Sequence, residues 1–375
     1  MASEANMAAA STEPLVQAPH WQLTWWAFTR HKPAVVSLVF IILIYIVAIF
    51  VEFFAPGDPY ATNQRATFHP PQAIHWLDRT EDGGWRFAPH VLEAKRNRDP
   101  VSLKMSYEPD PEAKVYLHLF AQGAPYKLWG VFPGTLHLLT ADKPVYLVGA
   151  DRLGRDVLSR SIYGIRLSLS VGFVGVVLSL VIGVVLGALS GYAGGWVDTV
   201  IQRIIEFMMS VPTIPIYLGL AAAIPDDWPP IYSFLAIVLI LSLLGWTDLA
   251  RIVRGRFLAL KHEDYVVAAR LDGARHGRVI FRHMLPAMTS QIIASVSLAI
   301  PAMIIVETSL SFLGLGLQPP AISWGVLLQE AQNIRSLSEA AWLFFPGLLI
   351  LLTVLAFNFV GDGMRDAADP YNQRD

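Results

Sequence analysis

Basic side chains crowd one stretch of this sequence: Arg251, Arg254, Arg256, Lys261, Arg270, Arg275, Arg278 and Arg282 all fall within Arg251–Pro286. Inside it, Asp264 is placed to cap a helix over Tyr265–Asp272, and Gly273 to stop that helix in a left-handed turn. A second short helix is expected from Arg275 to Met284, leading into Leu285-Pro286. Ala268, Ala269 and Gly273 keep one side of the first helix thin. A thin helix suits a protein groove and the arginines suit anionic lipid, so spacing alone leaves docking and lipid anchoring both open. The other group that could do chemistry is Glu307, in apolar surroundings beside Thr308 and Ser309. A carboxylate inside a span can hold an ion; reaching the interface, or capping a restarted helix, is the simpler reading.

Bond-making chemistry has no support in the sequence. There is no G-x-x-x-x-G-K-[ST] phosphate loop and no G-x-S-x-G elbow, and the ten histidines never take H-E-x-x-H or a comparable metal spacing. Zero cysteines exclude disulfides, thiolate metal sites and a cysteine nucleophile. The expectation is a chain with no catalytic residue, no metal and no cofactor of its own.

The elements that must position these groups are written in the composition. Of 375 residues, 54 % are hydrophobic and only 15 % charged, and the net charge is −2. Soluble domains average about 25 % charged residues. A disordered, collagen-like or nucleic-acid-binding chain is excluded, and a polytopic membrane protein is expected. Ala34–Val51, Leu167–Leu189, Phe207–Ile224, Ile231–Trp246, Ala287–Val306 and Ala340–Val360 each run without Asp, Glu, Lys or Arg and approach the ~20 residues a bilayer needs. The first reads as an uncleaved anchor preceded by an interfacial lead-in, Trp21 to Lys32, rich in Trp and basic residues. Pro225–Pro230 carries Asp226 and Asp227 but no basic residue, and Leu317–Glu339 only Arg335, so the Arg-rich loop lies in the cytoplasm with both termini.

The segment between the first two spans is then external. Lys114–Phe120 and Pro125–Phe132, flanking Gln122-Gly123, read as a β-hairpin, with Trp76, Trp85 and Trp129 as a small core or, alternatively, as binding contacts. Arg152–Arg166 is amphipathic and reads as an interfacial helix whose arginines snorkel. Gly183, Gly187 and Gly191, four apart, read as a close-packing stripe.

Tyr265-Val-Val-Ala-Ala-Arg-Leu-Asp-Gly273 followed by Phe281-Arg-His-Met-Leu-Pro286 resembles the EAA loop of binding-protein-dependent ABC importer permeases. Gly149–Arg160, Gly191–Asp198, Ser309–Gly316 with Pro319-Pro320 and Ser323-Trp-Gly325, and Gly361–Asp366 with Asp369-Pro370 are similar to the dipeptide/oligopeptide/nickel permease family, C-type subunit. The resemblance covers the N-terminal anchor and nearly everything from 145 to 375. It implies an all-α polytopic protein with the six transmembrane helices of the type I ABC importer permease fold, here with a small β-containing external module between helices 1 and 2. The implied division is a cytoplasmic N-terminus with interfacial helix (1–33), an anchor helix (34–54), an external module (55–164), a permease core (165–361, with the coupling loop 251–286) and a cytoplasmic tail (362–375). The implied partners are a second, B-type permease, two ABC ATPases that bind ATP and Mg, and an external substrate-binding protein. The implied location is the bacterial inner membrane, and the implied cargo is peptide.

Carried over by position, Tyr265, Ala268, Ala269 and Gly273 form the coupling helix and its stop. Arg270, Arg278 and Arg282 are contacts at its rim, and Leu285 and Pro286 pass motion to the fifth span. Two features depart from the family: Val267 stands where the motif has Glu, and the external segment is longer than usual. The competing reading is an ion-coupled secondary transporter using Glu307.

Overall fold

A backbone in lipid must close its own hydrogen bonds, and the uncharged runs do so as helices. The computed structural model describes residues 20–79, 84–98, 105–225, 227–333 and 340–368; the polar start of the chain, Asp226, Arg335 and the Asp369-Pro370 pair lie outside the described residues. In chain order come α1 (His20–Arg30), α2 (Lys32–Ile49), α3 (Val51–Phe54), β1 (His75–Arg79), β2 (Trp85–Arg98), β3 (Met105–Leu128) and β4 (Phe132–Ala141). Then follow α4 (Val157–Ala193), α5 (Gly195–Ser210), α6 (Thr213–Ala221), α7 (Pro230–Leu260), α8 (Asp264–Leu271), α9 (Thr289–Phe312), α10 (Trp324–Glu330) and α11 (Phe345–Ala368). Among the described residues five helices are long and apolar enough to cross a membrane, or six if the bent pair α5–α6 counts as one span.

Several expected boundaries move, each for a physical reason. The third span breaks between α5 and α6 with an 83° bend, because Pro212 has no N–H to continue the ladder and holds Val211 in extended geometry. Span two starts at Val157 rather than Leu167, so the amphipathic lead is the first turns of α4 itself. Its arginines do not snorkel into lipid: Arg155 and Arg160 are held by carboxylates of the protein, and Arg166 by Glu52. Span four runs on to Leu260, one continuous helix reaching the Arg-rich loop.

The glycine stripe of α4 packs on α7. A Cβ on Gly187 would sit 2.5 Å from the Ala250 carbonyl oxygen and 2.8 Å from Val253 Cβ, and one on Gly191 2.6 Å from Phe257 Cβ. Lipid supplies no hydrophobic drive between helices, so this close backbone approach is what holds the pair. Gly187→Val is expected to force α4 and α7 apart and cost about 1–3 kcal/mol, read as a lower unfolding temperature of the purified chain in detergent. An unchanged temperature would mean the helices do not meet there.

Between α3 and α4 the chain forms a four-stranded antiparallel sheet in the order β1-β2-β3-β4. Its hairpin is not the expected one. β3 passes straight through Gln122-Gly123 with a bulge before Tyr126, and the turn falls at Trp129-Gly130, joining Leu128 to Phe132. Gly123 is small for packing, since a Cβ there would lie 2.7 Å from the His137 ring across the pair. The tryptophans are not the core either: Trp76, Trp85 and Trp129 are all more than half exposed. Val91, Val115, Leu117 and Val145 fill the interior instead; alternation along β2 and β3 turns the first three to one face, and Val145 packs on them from beyond β4.

Candidate functional site

The Arg-rich segment closes one end of the helix bundle. α8 begins with Glu263 at its N-cap, which makes no side-chain cap bond, so Asp264 lies inside the first turn rather than capping it. At the other end the Ala274 N–H reaches the Ala269 carbonyl at 3.1 Å, and Gly273 takes φ +78°. That pairing is the left-handed glycine stop the sequence called for. After it, the chain does not make a simple helix over Arg275–Met284. Arg275 is the N-cap, His276–Arg278 form one α-turn, and Val279–Met284 widen into a π-turn. Pro286 cannot donate and its ring crowds the carbonyl four residues back, so the ladder opens ahead of it before α9 resumes.

One side chain roots α8 in the bundle. Val266 is fully buried in a cluster with Ala188 of α4, Val253 and Phe257 of α7, and Val279, Met284 and Met288 leading into α9. The cluster thus packs α8 against residues of α4, α7 and the approach to α9 at once. Below the cluster, Arg254 of α7 donates to both carboxylate oxygens of Asp198 on α5, at 2.6 and 2.7 Å. Tyr192 on α4 pairs with His276 at 2.8 Å.

The opposite face of α8 is uncovered. Tyr265, Val267 and Ala268 are exposed, Ala269 is half-buried, and Leu271 is 83 % exposed. Arg270, Arg278, Arg282 and Pro286 are exposed around them, Leu285 is half-buried, and Phe281 adds a ring 64 % exposed. Leu271 and Phe281 escaped the sequence reading. The signal was there: Val267, Ala268 and Leu271 fall at i, i+1 and i+4, one face of a helix whose other face already has Val266 to bury.

Glu307 does not reach an interface and caps nothing. It is fully buried near the far end of α9, where Ser311 donates to it at 2.9 Å and Thr308 lies at 3.5 Å. Ser311 Oγ in turn accepts the Leu317 N–H at 2.9 Å, and the cap of α10 is Ser323. Ser311 thus links the carboxylate to the loop before α10, and among the described residues no group of three His, Cys, Asp or Glu could hold a metal. Toward the other end of the bundle, α4, α6, α7 and α9 enclose an apolar cleft of ≈ 410 Å³ lined by Tyr217, Gly245, Asp248 and Met303 among others.

A second polar cluster, missed in the sequence, sits where α4 begins. Arg155 bridges Asp151 (2.6 Å) and Glu330 of α10 (2.5 Å), and buried Arg160 lies 3.6 Å from each carboxylate and donates to the Pro59 carbonyl at 3.2 Å. Burial and the nearby Asp151 raise the Glu330 carboxyl. Asp156 caps α4, accepting from Leu158 and Ser159, and burial pushes its pKa up to about 6. Its folded pKa exceeds the unfolded value of 3.8, so its contribution is fully present below pH ~4 and is lost as pH rises through 6; the two-unit shift corresponds to about 3 kcal/mol. Asp156→Asn, which keeps the cap but carries no charge, is expected to stabilise the chain at pH 8 and flatten this slope in thermal unfolding at pH 5 and 8. An Asn variant with the same pH dependence would assign the slope elsewhere.

Comparison with known proteins accords with this geometry. Residues 183–372 match the family described as binding-protein-dependent transport system inner membrane component, and residues 20–71 match the N-terminal TM domain of oligopeptide transport permease C. The chain is 38 % identical over 240 residues to the oligopeptide transport system permease protein OppC of Bacillus subtilis (strain 168), covering 63 % of this chain and 76 % of that protein. It is 40 % identical over 228 residues to the dipeptide transport system permease protein DppC of the same organism, covering 60 % and 69 %. Among solved structures, the inward-facing MetNI methionine ABC transporter aligns at TM-score 0.44 and 16 % identity, covering 56 % of this chain and 96 % of that one. The chain belongs to the binding-protein-dependent ABC importer permeases, in the dipeptide/oligopeptide/nickel branch and as its C-type subunit: a multi-pass, non-enzymatic transport component whose ATPase resides in separate subunits.

Proposed function

We propose that this chain forms half of a peptide-conducting pore and takes up ATP-driven motion through α8. The observation that carries the reading is the two-sided α8: Val266 anchors it to three spans, while Val267, Leu271 and the arginines face outward with no covering element among the described residues. Two ABC ATPases binding ATP and Mg would cover this face from the cytoplasm, with a B-type permease beside the bundle and a substrate-binding protein outside. Closure of the ATPases would tilt α8, and the shared cluster would carry that tilt into α4, α7 and α9, opening the cleft beside Met303 alternately to either side.

Val267 fits this role without the motif's Glu. With Leu271 it makes the contact to the ATPase apolar where the motif's Glu would make it polar. Leu285 and Pro286, at the wide turn, are the hinge between the loop and α9. The basic loop and both termini lie in the cytoplasm on the charge rule, and 55–164 is the external module. Peptide cargo is supported by the oligopeptide and dipeptide systems of the two relatives. Glu307 serves here as a structural tie rather than a coupling-ion site.

Gly273→Val tests the coupling turn. No atom outside the turn lies within 4 Å of a Cβ there, so the substitution acts through backbone strain at φ +78° alone. A strain of about 1–3 kcal/mol reduces the population of a correctly formed turn by about 5- to 150-fold. The variant is expected to insert and to retain basal ATP hydrolysis in the assembled complex, but to lose its stimulation by substrate together with uptake. Normal uptake would remove Gly273 from the coupling path.

A further inference from the structure

The sheet is charged at one end and apolar at the other. Glu93, Lys95, Arg96, Glu108 and Asp110 line the paired halves of β2 and β3, whereas residues 113–141 contain no Asp or Glu at all. That carboxylate-free stretch, whose charged residues are Lys114 and Lys127, holds the β3–β4 hairpin. Its tip is tied to the end of the first span: the Trp129 N–H donates to Glu52 at 3.4 Å, and the Arg166 guanidinium lies 4.5 Å from the Trp129 ring centre. The same guanidinium donates to the carbonyls of Ala48 and Ile49, the last residues of α2, at 2.9 and 3.0 Å.

These bonds set the depth of the tip. Trp129 sits within about one helical turn of the end of the apolar run of α2, and Arg166 marks the matching end of the uncharged run Leu167–Leu189 on α4. On α2, which ends at the hairpin, Val39, Ile42, Ile46 and Phe50 are exposed. At the hairpin so are Trp129, Val131 (69 % exposed) and Phe132 (66 % exposed). Phe120 packs near Phe53 at 6.2 Å and extends the same surface. Tryptophan beside arginine at the end of a span, followed by bare apolar side chains and no carboxylate, is the chemistry of the lipid headgroup region.

We propose that the tip of the β3–β4 hairpin is inserted into the membrane interface, with Trp129, Val131 and Phe132 among the lipid headgroups and upper acyl chains beside α2. The hairpin then acts as a strut that fixes the rest of the sheet at a set height above the bilayer.

The absence of cysteine makes the test direct. Val131→Cys, Phe132→Cys and, at the charged end, Lys95→Cys would each be labelled with a bimane fluorophore on the full chain. Each would be assembled with cysteine-free partner subunits in phosphatidylethanolamine/phosphatidylglycerol nanodiscs. The labels at 131 and 132 are expected to be quenched by bromine on the upper acyl chain and shielded from aqueous iodide, and the label at 95 to behave oppositely. Iodide quenching at 131 and 132 equal to that at 95 would place the tip in water and overturn the proposal. Shielding from iodide without bromolipid quenching would mean a protein covers the tip, and would overturn it equally.

Discussion

Leu271→Asp should leave the chain folded and in the membrane while the ATPase subunits cease to co-purify and uptake stops. Leu271 is the most exposed of the large apolar residues on the coupling loop, at 83 %. It contributes little to this chain's own core, and surface changes of that kind stay within about 0.5 kcal/mol. On the proposed docking, the side chain is buried in an ATPase groove of the assembled importer. Losing that burial removes about 1.5–3 kcal/mol, and stranding a carboxylate in the groove adds further cost. Together these weaken docking by more than ~100-fold. Unchanged co-purification would show that α8 uses some other face. Val267→Glu, which restores the motif residue, is the useful companion, because it asks whether this ATPase groove has kept a polar partner.

Arg160→Met is expected to be the most destabilising single change in the described residues outside the lipid-facing core. Asp151 and Glu330 balance Arg155 and Arg160 in a cluster where Arg160 is 2 % exposed. Removing Arg160 leaves two carboxylates on one guanidinium, and breaking a buried pair from one side costs about 3–5 kcal/mol. Unfolding temperature in detergent would fall sharply. Adding Glu330→Met restores neutrality and should recover more than half of the loss, a coupling that a double-mutant cycle measures. A double variant no better than Arg160→Met alone would mean the cluster is not held by charge balance. The consequence reaches beyond stability, since Glu330 belongs to α10 and Arg160 to α4, so the cluster locks the mouth of the bundle to the segment joining α9 and α11.

What could be read in advance follows from what each signal depends on. The spans were legible because lipid makes an uncharged run of apolar residues nearly obligatory, as in α2 and α11. Their ends were not, because the groups that stop a hydropathy run can be neutralised by distant partners. Arg160 and Arg166 lie inside α4 because Asp151, Glu330 and Glu52 meet them there. The break at Val211-Pro212 was visible as a proline, but its 83° bend was not. In the sheet, Gly123 looked like a turn and is a packing glycine under His137, and the tryptophans looked like a core and are surface. Both errors come from reading residue type without the strand register that decides which face it occupies. In the loop 251–286 the first short helix and its stop were legible, down to the positive φ of Gly273, but the Glu263 N-cap and the π-turn over Val279–Met284 were not. Leu271 and Phe281 became visible only once Val266 showed which face of α8 was already buried.

On the proposed function, this chain works as half a pore driven by ATPases bound to α8. Affinity purification of the tagged chain in mild detergent, with mass-spectrometric identification and stoichiometry of what accompanies it, tests this most directly. The account predicts one copy of a second permease and two copies of P-loop ATPase per chain, with the ATPases lost selectively from Leu271→Asp. A chain that purifies alone and moves substrate across vesicle membranes without ATP would contradict it and turn attention to Glu307.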